Sequence, residues 1–307
     1  LDTAGSGSFE NVALAVRYAA GLPISVAGVT YTNPQPVQII NLSLGTSTYS
    51  SVMCEAVAAA VQRGVAVVAA GGNGGSPRYF YPAACPGAIA VAATDLNAGD
   101  TPRPTWYTQY NDRISLAAPG GDNNQFTNGL TCVSPQTGEE FVCPDGILST
   151  AWDYLNDRPT YAFRMGTSQA SPQVAAALAL LLSSGRAVTP AQAWELVRTS
   201  LTDLGAMGTD DFYGQGMLNQ AGAMGWTLPP GRYQVRLVNQ NRSILTDGDG
   251  FFTTYALAGL QYVQICRDDS ENLLCDPNEL YKGLSVIVPS QPTYHIGVLT
   301  PPVPVVP

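Results

Sequence analysis

A chain of 307 residues that is 45% hydrophobic can fill one large core and a small second one, and no run of about 18 apolar residues offers a membrane span. Its formal charge of −9 and pI near 4.5 exclude a nucleic-acid partner, because a phosphate backbone needs a basic face. Charged residues make up only 12%, and Gly, Ser, Thr, Asn and Tyr are abundant, a composition that fits a secreted protein.

The first residues, Leu1-Asp2-Thr3-Ala4, have neither the basic start nor the apolar core of a signal peptide, and no Met precedes them. The chain therefore reads as lacking an upstream portion. Ser8 is placed to cap a helix from about Phe9 to Ala20. Gly21 to Pro36, rich in Pro and Gly, reads as a loop, and Val37 to Leu42 as a strand. Ser50 or Ser51 caps a helix whose Met53, Val57, Ala60 and Val61 share a face, with Gly64 ending it. The unbroken apolar run Val65–Ala70 is what a parallel strand covered on both faces requires. Further strands are expected at Ala88–Ala93, Ile114–Ala118 and Ile147–Thr150.

The central stretch is Gly166-Thr167-Ser168-Gln169-Ala170-Ser171-Pro172. Val174, Leu178, Leu181 and Leu182 follow it at helical spacing. A Ser at a helix N-terminus lies beside free backbone N–H groups and the positive end of the helix dipole, an environment suited to an acyl-transfer nucleophile. The plain alternative is that Ser168 is only an N-cap. Thr189-Pro190-Ala191-Gln192 then forms a capping box with Pro at the first helical position, starting a helix to about Leu201.

Alternating strand and helix patterns predict an α/β fold built on a doubly wound, mostly parallel sheet. Sites in such sheets form beyond the carboxyl ends of the strands, so the segments after Leu42, Ala70 and Met165 belong on one edge. Near Trp226 the character changes. Tyr233–Val238, Ile244–Thr246, Phe251–Leu257 and Tyr262–Arg267 read as strands without helices between them, and Gly248 and Gly250 suit a hairpin turn. The expected organisation is an α/β domain over 1–226, a small all-β sandwich over 231–300, and a Pro-rich tail over 301–307.

Six cysteines leave the pairing open. The simplest scheme is local: Cys54–Cys85, Cys132–Cys143 and Cys266–Cys275. No CxxC pair occurs and His295 is the single His, which argues against a Cys/His zinc site.

The Ser168 stretch resembles, almost letter for letter, the nucleophile motif Gly-Thr-Ser-x-Ala-Ser-Pro of the subtilisin-like serine peptidases, the subtilases. Gln169 stands where Met is usual and Gln173 where His is usual; neither position is catalytic in that family. Asn41-Leu42-Ser43-Leu44-Gly45 resembles the family's strand that binds substrate in extended form. Ala69-Ala70-Gly71-Gly72-Asn73-Gly74 resembles its oxyanion loop. Tyr81-Pro82-Ala83 with the strand after it is a further match, and together the matches cover roughly residues 5–222.

The resemblance implies a secreted serine endopeptidase of subtilisin-like fold acting on an extended polypeptide. Ser168 would be the nucleophile, and Asn73 with the Ser168 N–H the oxyanion hole. Ser43, Leu44, Gly45, Ala70, Gly71 and Gly72 would line the substrate, which adds a strand through main-chain hydrogen bonds. Sedolisins share Gly-Thr-Ser but carry Asp at the oxyanion position, so Asn73 points to the subtilase branch.

Subtilases take their triad Asp and His from segments upstream of this chain's first residue, and no His-Gly-Thr-His-type motif occurs here. The expectation is that an N-terminal segment carrying both is missing from these residues, supplied by a separate chain, or lost. The 307 residues alone should then be nearly inactive. No cofactor is required. Calcium, which subtilases often bind, has Asp95, Asp100, Asp122 and Asp153 as candidate carboxylates, but these form no recognisable loop. The segment from Tyr233 resembles the transthyretin-like modules appended to secreted enzymes. Two other readings compete: an α/β-hydrolase-type esterase using Ser168, Asp210 or Asp211, and His295, and a non-catalytic peptide-binding module that keeps the groove at Ser43–Gly45.

Overall fold

A computed structural model describes residues 6–95, 102–122, 131–133, 140–142, 146–154 and 156–225, together with the backbone of four strands between 233 and 288. The helix expected first is α1 (Phe9–Ala19), and Ser8 Oγ accepts from the Asn11 N–H at 3.2 Å. The expected loop after it contains a short hairpin, β1 (Ile24–Val26) with β2 (Val29–Tyr31). Its two-residue turn is Ala27-Gly28, both at positive φ (50° and 79°), the geometry that joins twisted strands tightly. Ala27 lacks the usual Asn or Gly signature, so the local pattern gave no turn signal.

The first sheet strand, β3 (Ile39–Leu42), is shorter than the expected segment. Ser50, not Ser51, caps α2 (Ser51–Gln62), its Oγ accepting from the Met53 N–H. Met53, Val57 and Ala60 are fully buried, but Val61 lies on the solvent side. The sheet continues with β4 (Ala66–Ala70), β5 (Ile89–Thr94) and β6 (Leu116–Pro119), all parallel, in the order β3-β4-β5-β6.

Side-chain alternation divides the interior into two layers. Val67, Ala69, Ala90, Ala92 and Ala117 meet Ala13, Val16, Met53 and Val57 of α1 and α2. Val68, Ile89, Val91, Ala93, Leu116 and Ala118 face the opposite layer, where α3 (Thr167–Ser183) supplies Val174, Leu178 and Leu181 and α4 (Pro190–Thr199) supplies Val197. Both faces of every central strand are covered, which is why these strands read as continuous apolar runs. Leu182, expected on the same face of α3, is only partly buried.

The segment at Ile147–Thr150 is not part of the parallel sheet. It belongs to β9 (Ile147–Asp153), which pairs antiparallel with β10 (Arg158–Arg164); β7 (Thr131–Val133) and β8 (Glu140–Val142) form another antiparallel pair. At α4 the capping box is incomplete: Thr189 Oγ1 accepts from the Gln192 N–H, but Gln192 Oε1 takes the Val188 N–H. That helix ends at Thr199 rather than Leu201, and a short α5 (Gln220–Ala223) follows.

Beyond residue 231 the described strands are β11 (Tyr233–Leu237), β12 (Arg242–Leu245), β13 (Gly259–Arg267) and β14 (Tyr281–Val288). Together these described strands form one small antiparallel sheet, ordered β12-β11-β13-β14. The strand expected at Phe251–Leu257, the turn at Gly248 and Gly250, and the tail from 301 to 307 lie outside the described residues.

The Cys54–Cys85 disulfide is formed and ties α2 to the segment before β5. Cys143 and Cys275 lie outside the described residues. Cys132 and Cys266 lie within β7 and β13, where only the backbone is described. The local pairings expected for these four are therefore not reached.

Candidate active site

Three segments meet beyond the carboxyl ends of β3 and β4, as the sheet rule requires: Ser43–Gly45, Gly71–Asn73 and the start of α3. Gly166 is the N-cap residue of α3, at φ 141° and without a side-chain cap. Ser168 is therefore the second helical residue, and its hydroxyl does not cap the helix. It donates instead to the Ser43 carbonyl at 3.3 Å.

Asn73 is oriented by Thr167. The Thr167 N–H, which can only donate, reaches Asn73 Oδ1 at 2.9 Å, and the Thr167 hydroxyl donates to the same oxygen at 2.8 Å. Those two bonds fix the amide, leaving Nδ2 to point elsewhere. The direction follows from Gly166: a Cβ built there would stand 3.3 Å from Asn73 Nδ2 and 3.7 Å from Ser168 N. Both N–H donors thus lie within 4 Å of the point a Gly166 Cβ would occupy, with Gln169 Oε1 nearer still at 2.9 Å, so only a residue without a side chain fits there. No acceptor among the described residues takes the Ser168 N–H.

Thr167 is fully buried, and its hydroxyl also accepts from the Gly72 N–H at 3.1 Å. Gly72 sits at φ 109°, where a Cβ would collide with Gln109 Oε1. Gln109 pins the same loop through its own N–H to the Gly72 carbonyl and its Nε2 to the Arg78 carbonyl. Gly71 donates to the Val91 carbonyl at 2.8 Å, extending the β4 register. Neither Thr167 nor Gln109 was singled out from sequence. Thr167 lay inside the quoted motif, whereas Gln109 is remote and carries no local signal.

Pro172 explains a second link. A helical residue there would donate to the Ser168 carbonyl four positions back, but Pro has no N–H. The Ser43 hydroxyl takes its place, donating to Ser168 O at 2.9 Å while accepting from Asn41 Nδ2 at 2.9 Å. Ser171 Oγ lies 3.1 Å from Ser43 Oγ and must donate, because the Ser43 proton is already committed. The extended segment Ser43–Gly45 is held at its far end by an antiparallel bridge from Thr46 to Tyr81, and a Cβ at Gly45 would strike the Tyr81 carbonyl at 2.4 Å. Leu44 turns back onto the core.

The geometry offers a hydroxyl nucleophile, two converging donors for a developing oxyanion, and an extended edge for a peptide. Among the described residues the Ser168 hydroxyl has the Ser43 carbonyl as its acceptor and no base. A carbonyl oxygen is too weak a base, no imidazole occurs among the described residues, and His295 lies outside them. Asp210 is engaged in its own loop: Oδ1 accepts from the Phe212 and Tyr213 N–H groups and Oδ2 from the Ala206 N–H. The Asp211 carbonyl accepts from Asn111. The structure unites Ser168 with Asn73 and Ser43, and ties Asp210 to a different loop.

Of the carboxylates considered for calcium, Asp95 bonds Arg103 through both oxygens and Asp153 bonds Asn156 and Arg158. Asp100 lies outside the described residues. Asp122 keeps Oδ1 buried without a hydrogen-bond partner; burial, and secondarily the Asp95 charge, push its carboxyl above the ordinary range. Among the described residues no three His, Cys, Asp or Glu side chains gather as metal ligands, and no helix is long and apolar enough to cross a membrane.

Known proteins resemble the chain in sequence and in fold. The model of the Subtilase family (Peptidase_S8) matches residues 1–216. The chain is 32% identical over 219 residues to the minor extracellular protease Epr of Bacillus subtilis, covering 71% of this chain and 27% of Epr. It is 30% identical over 244 residues to fervidolysin of Fervidobacterium pennivorans, covering 79% and 32%, and 31% identical over 223 residues to subtilisin Savinase of Lederbergia lenta, covering 73% and 65%. The chain thus spans between about a quarter and two thirds of the length of these relatives. Among solved structures, a protease of Pseudoalteromonas arctica superposes with a TM-score of 0.57 at 27% identity, over 72% of this chain and 59% of that one.

Proposed function

The chain belongs to the subtilase family, and on that footing we propose that it carries the nucleophile and oxyanion side of a secreted serine endopeptidase. The observation that carries this reading is the convergence of Asn73 Nδ2 and the Ser168 N–H beside the Ser168 hydroxyl. A peptide laid along Ser43–Gly45 as an added strand brings its carbonyl carbon to Ser168 Oγ. Attack forms the C–O bond, and the carbonyl oxygen takes the negative charge between the two donors. Collapse of that adduct expels the amine and leaves an acyl-enzyme, which water hydrolyses.

The Ser168 proton must pass to a base and then to the leaving amine. In this proposal that base is a His paired with an Asp, both supplied by sequence upstream of residue 1. The chemistry is acyl and proton transfer and requires no cofactor. Secretion fits the composition and the Cys54–Cys85 disulfide, which persists in an oxidising compartment.

The test is labelling with a fluorophosphonate, read by mass on the Ser168 peptide, for this chain beside one extended upstream through its reading frame. Labelling of the extended chain alone is expected. Labelling of the short chain at an equal rate would place a base within these residues and make His295 the first residue to substitute. No labelling of either would leave a peptide-binding module.

A further inference from the structure

Ser168 also forms the wall of a second feature. An open cavity of about 410 Å³ is lined by Gly146, Phe163, Arg164, Met165, Ser168 and Gln169. The Ser43–Gly45 edge and Asn73 are not part of this lining. If the acyl side of a peptide follows that edge, as proposed above, the cavity receives the residues on the amine side of the cleaved bond.

The β9–β10 hairpin builds this cavity. Arg164 is the last residue of β10, in register with Ile147, and Met165 leads directly into Gly166. Gly146 lets the hairpin ends approach closely: a Cβ there would stand 3.2 Å from Phe163 Cβ and 3.4 Å from the Arg164 carbonyl. Phe163 and Met165 contribute apolar surface, and Arg164 contributes the single charge of the lining. The ion pairs found among the described residues use Arg103, Arg113, Arg158 and Arg198, and none uses Arg164. The chain as a whole has a formal charge of −9, and the lining of this cavity contains no acidic residue.

We propose that this cavity is a specificity site for the amine side of the substrate, in which Arg164 selects an acidic side chain. A guanidinium offers a planar fork of donors that matches a carboxylate in a two-bond geometry. A Lys or Arg on the peptide would instead meet like charge beside apolar walls, which costs without return. The inference rests on the endopeptidase reading for the direction of the chain and on the cavity for its chemistry.

Two measurements separate the two. In the upstream-extended protein, quenched peptides carrying Glu, Ala or Lys in the two positions after the cleaved bond should be hydrolysed in that order. About tenfold in kcat/KM between Glu and Ala is the expected step for a charge-assisted pair. Arg164→Glu should reverse the order, Arg164→Lys should keep it with a smaller ratio, and added salt should compress it. Hydrolysis with no charge preference, or the same preference in Arg164→Glu, overturns the inference and leaves the endopeptidase reading standing.

The second measurement needs no catalysis. Fluorescence anisotropy on the 307-residue chain compares C-terminally labelled pentapeptides beginning Glu-Glu, Ala-Ala and Lys-Lys. Tighter binding of the Glu-Glu peptide, lost in Arg164→Glu, supports the site even where no peptide is cleaved. Equal binding of all three overturns it.

Discussion

Replacing Thr167 by Val removes one hydroxyl, keeps the shape, and tests how the candidate oxyanion donors are held. The Thr167 hydroxyl accepts from the Gly72 N–H and donates to Asn73 Oδ1, and the residue is fully buried. Val leaves the Gly72 N–H without a partner in a place water does not reach, at about 1–3 kcal/mol. Asn73 Oδ1 keeps its bond from the Thr167 backbone, so it is not stranded. For a domain of about 200 residues, about 2 kcal/mol lowers Tm by roughly 4–8 °C. Thr167→Ser keeps both bonds and loses one buried methyl, worth about 0.8 kcal/mol, so its drop should be less than half as large. Thermal unfolding followed by circular dichroism reads both variants on the isolated chain. In the upstream-extended protein Val should also slow fluorophosphonate labelling, up to about 10²-fold, because an Asn73 amide held by one bond no longer points reliably. A Val variant as stable as wild type, or less harmful than Ser, would refute the claim that this hydroxyl organises the loop.

Other consequences follow from the same geometry. Asn73→Ala in the upstream-extended protein should lower kcat by about 10²–10³ with little change in KM, measured on a fixed peptide, since the donor acts on charge that develops only in the transition state. Substituting both Cys54 and Cys85 by Ala frees a loop of sequence separation 31, for which chain entropy gives a loss of about 3–4 kcal/mol, read by urea unfolding against the oxidised parent. Asp122 has its folded pKa raised, so its burial favours folding below the unfolded carboxylate range and opposes it once pH rises through the folded pKa. Asp122→Asn should therefore raise Tm at pH 7, and the gain should vanish on acidification below the unfolded value; a gain equal at pH 3 and pH 7 would contradict the assignment.

Much of the fold was legible because each central element has a one-dimensional signature. The unbroken run around Val67 and Val68 shows a strand covered on both faces, and Val174, Leu178 and Leu181 show a helix lying on it. The hairpin at Ala27-Gly28 was missed because Ala in a left-handed conformation has no sequence signature. The strand at Ile147 was legible, but its antiparallel partner β10 was not, since pairing partners are set by tertiary contacts and not by strand propensity. At the candidate site, the resemblance named Ser168, Asn73 and Ser43, which the fold brings together. It did not name their supports: Thr167 acts across the sheet edge on residues more than ninety positions away, and Gln109 acts on Gly72 through space.

The arrangement also separates two requirements of acyl transfer that are often treated as one. Among the described residues, the bonds that orient Asn73 and the start of α3 include Thr167 to Asn73, Gly72 to Thr167, the Gly166 N–H to the Gly120 carbonyl, and Ser43 to the carbonyl that Pro172 leaves open. None of them depends on a base. In the proposed mechanism, electrostatic readiness is thus a property of the sheet edge and one helix N-terminus, fixed when those elements fold. Nucleophile activation is not, because the Ser168 hydroxyl rests against the Ser43 carbonyl and must leave it to meet a base. That bond is long at 3.3 Å and weak, so an incoming imidazole displaces little in taking over the proton. A site built this way can hold its candidate oxyanion donors in place while, under the proposed mechanism, its reactivity waits on a single further contact.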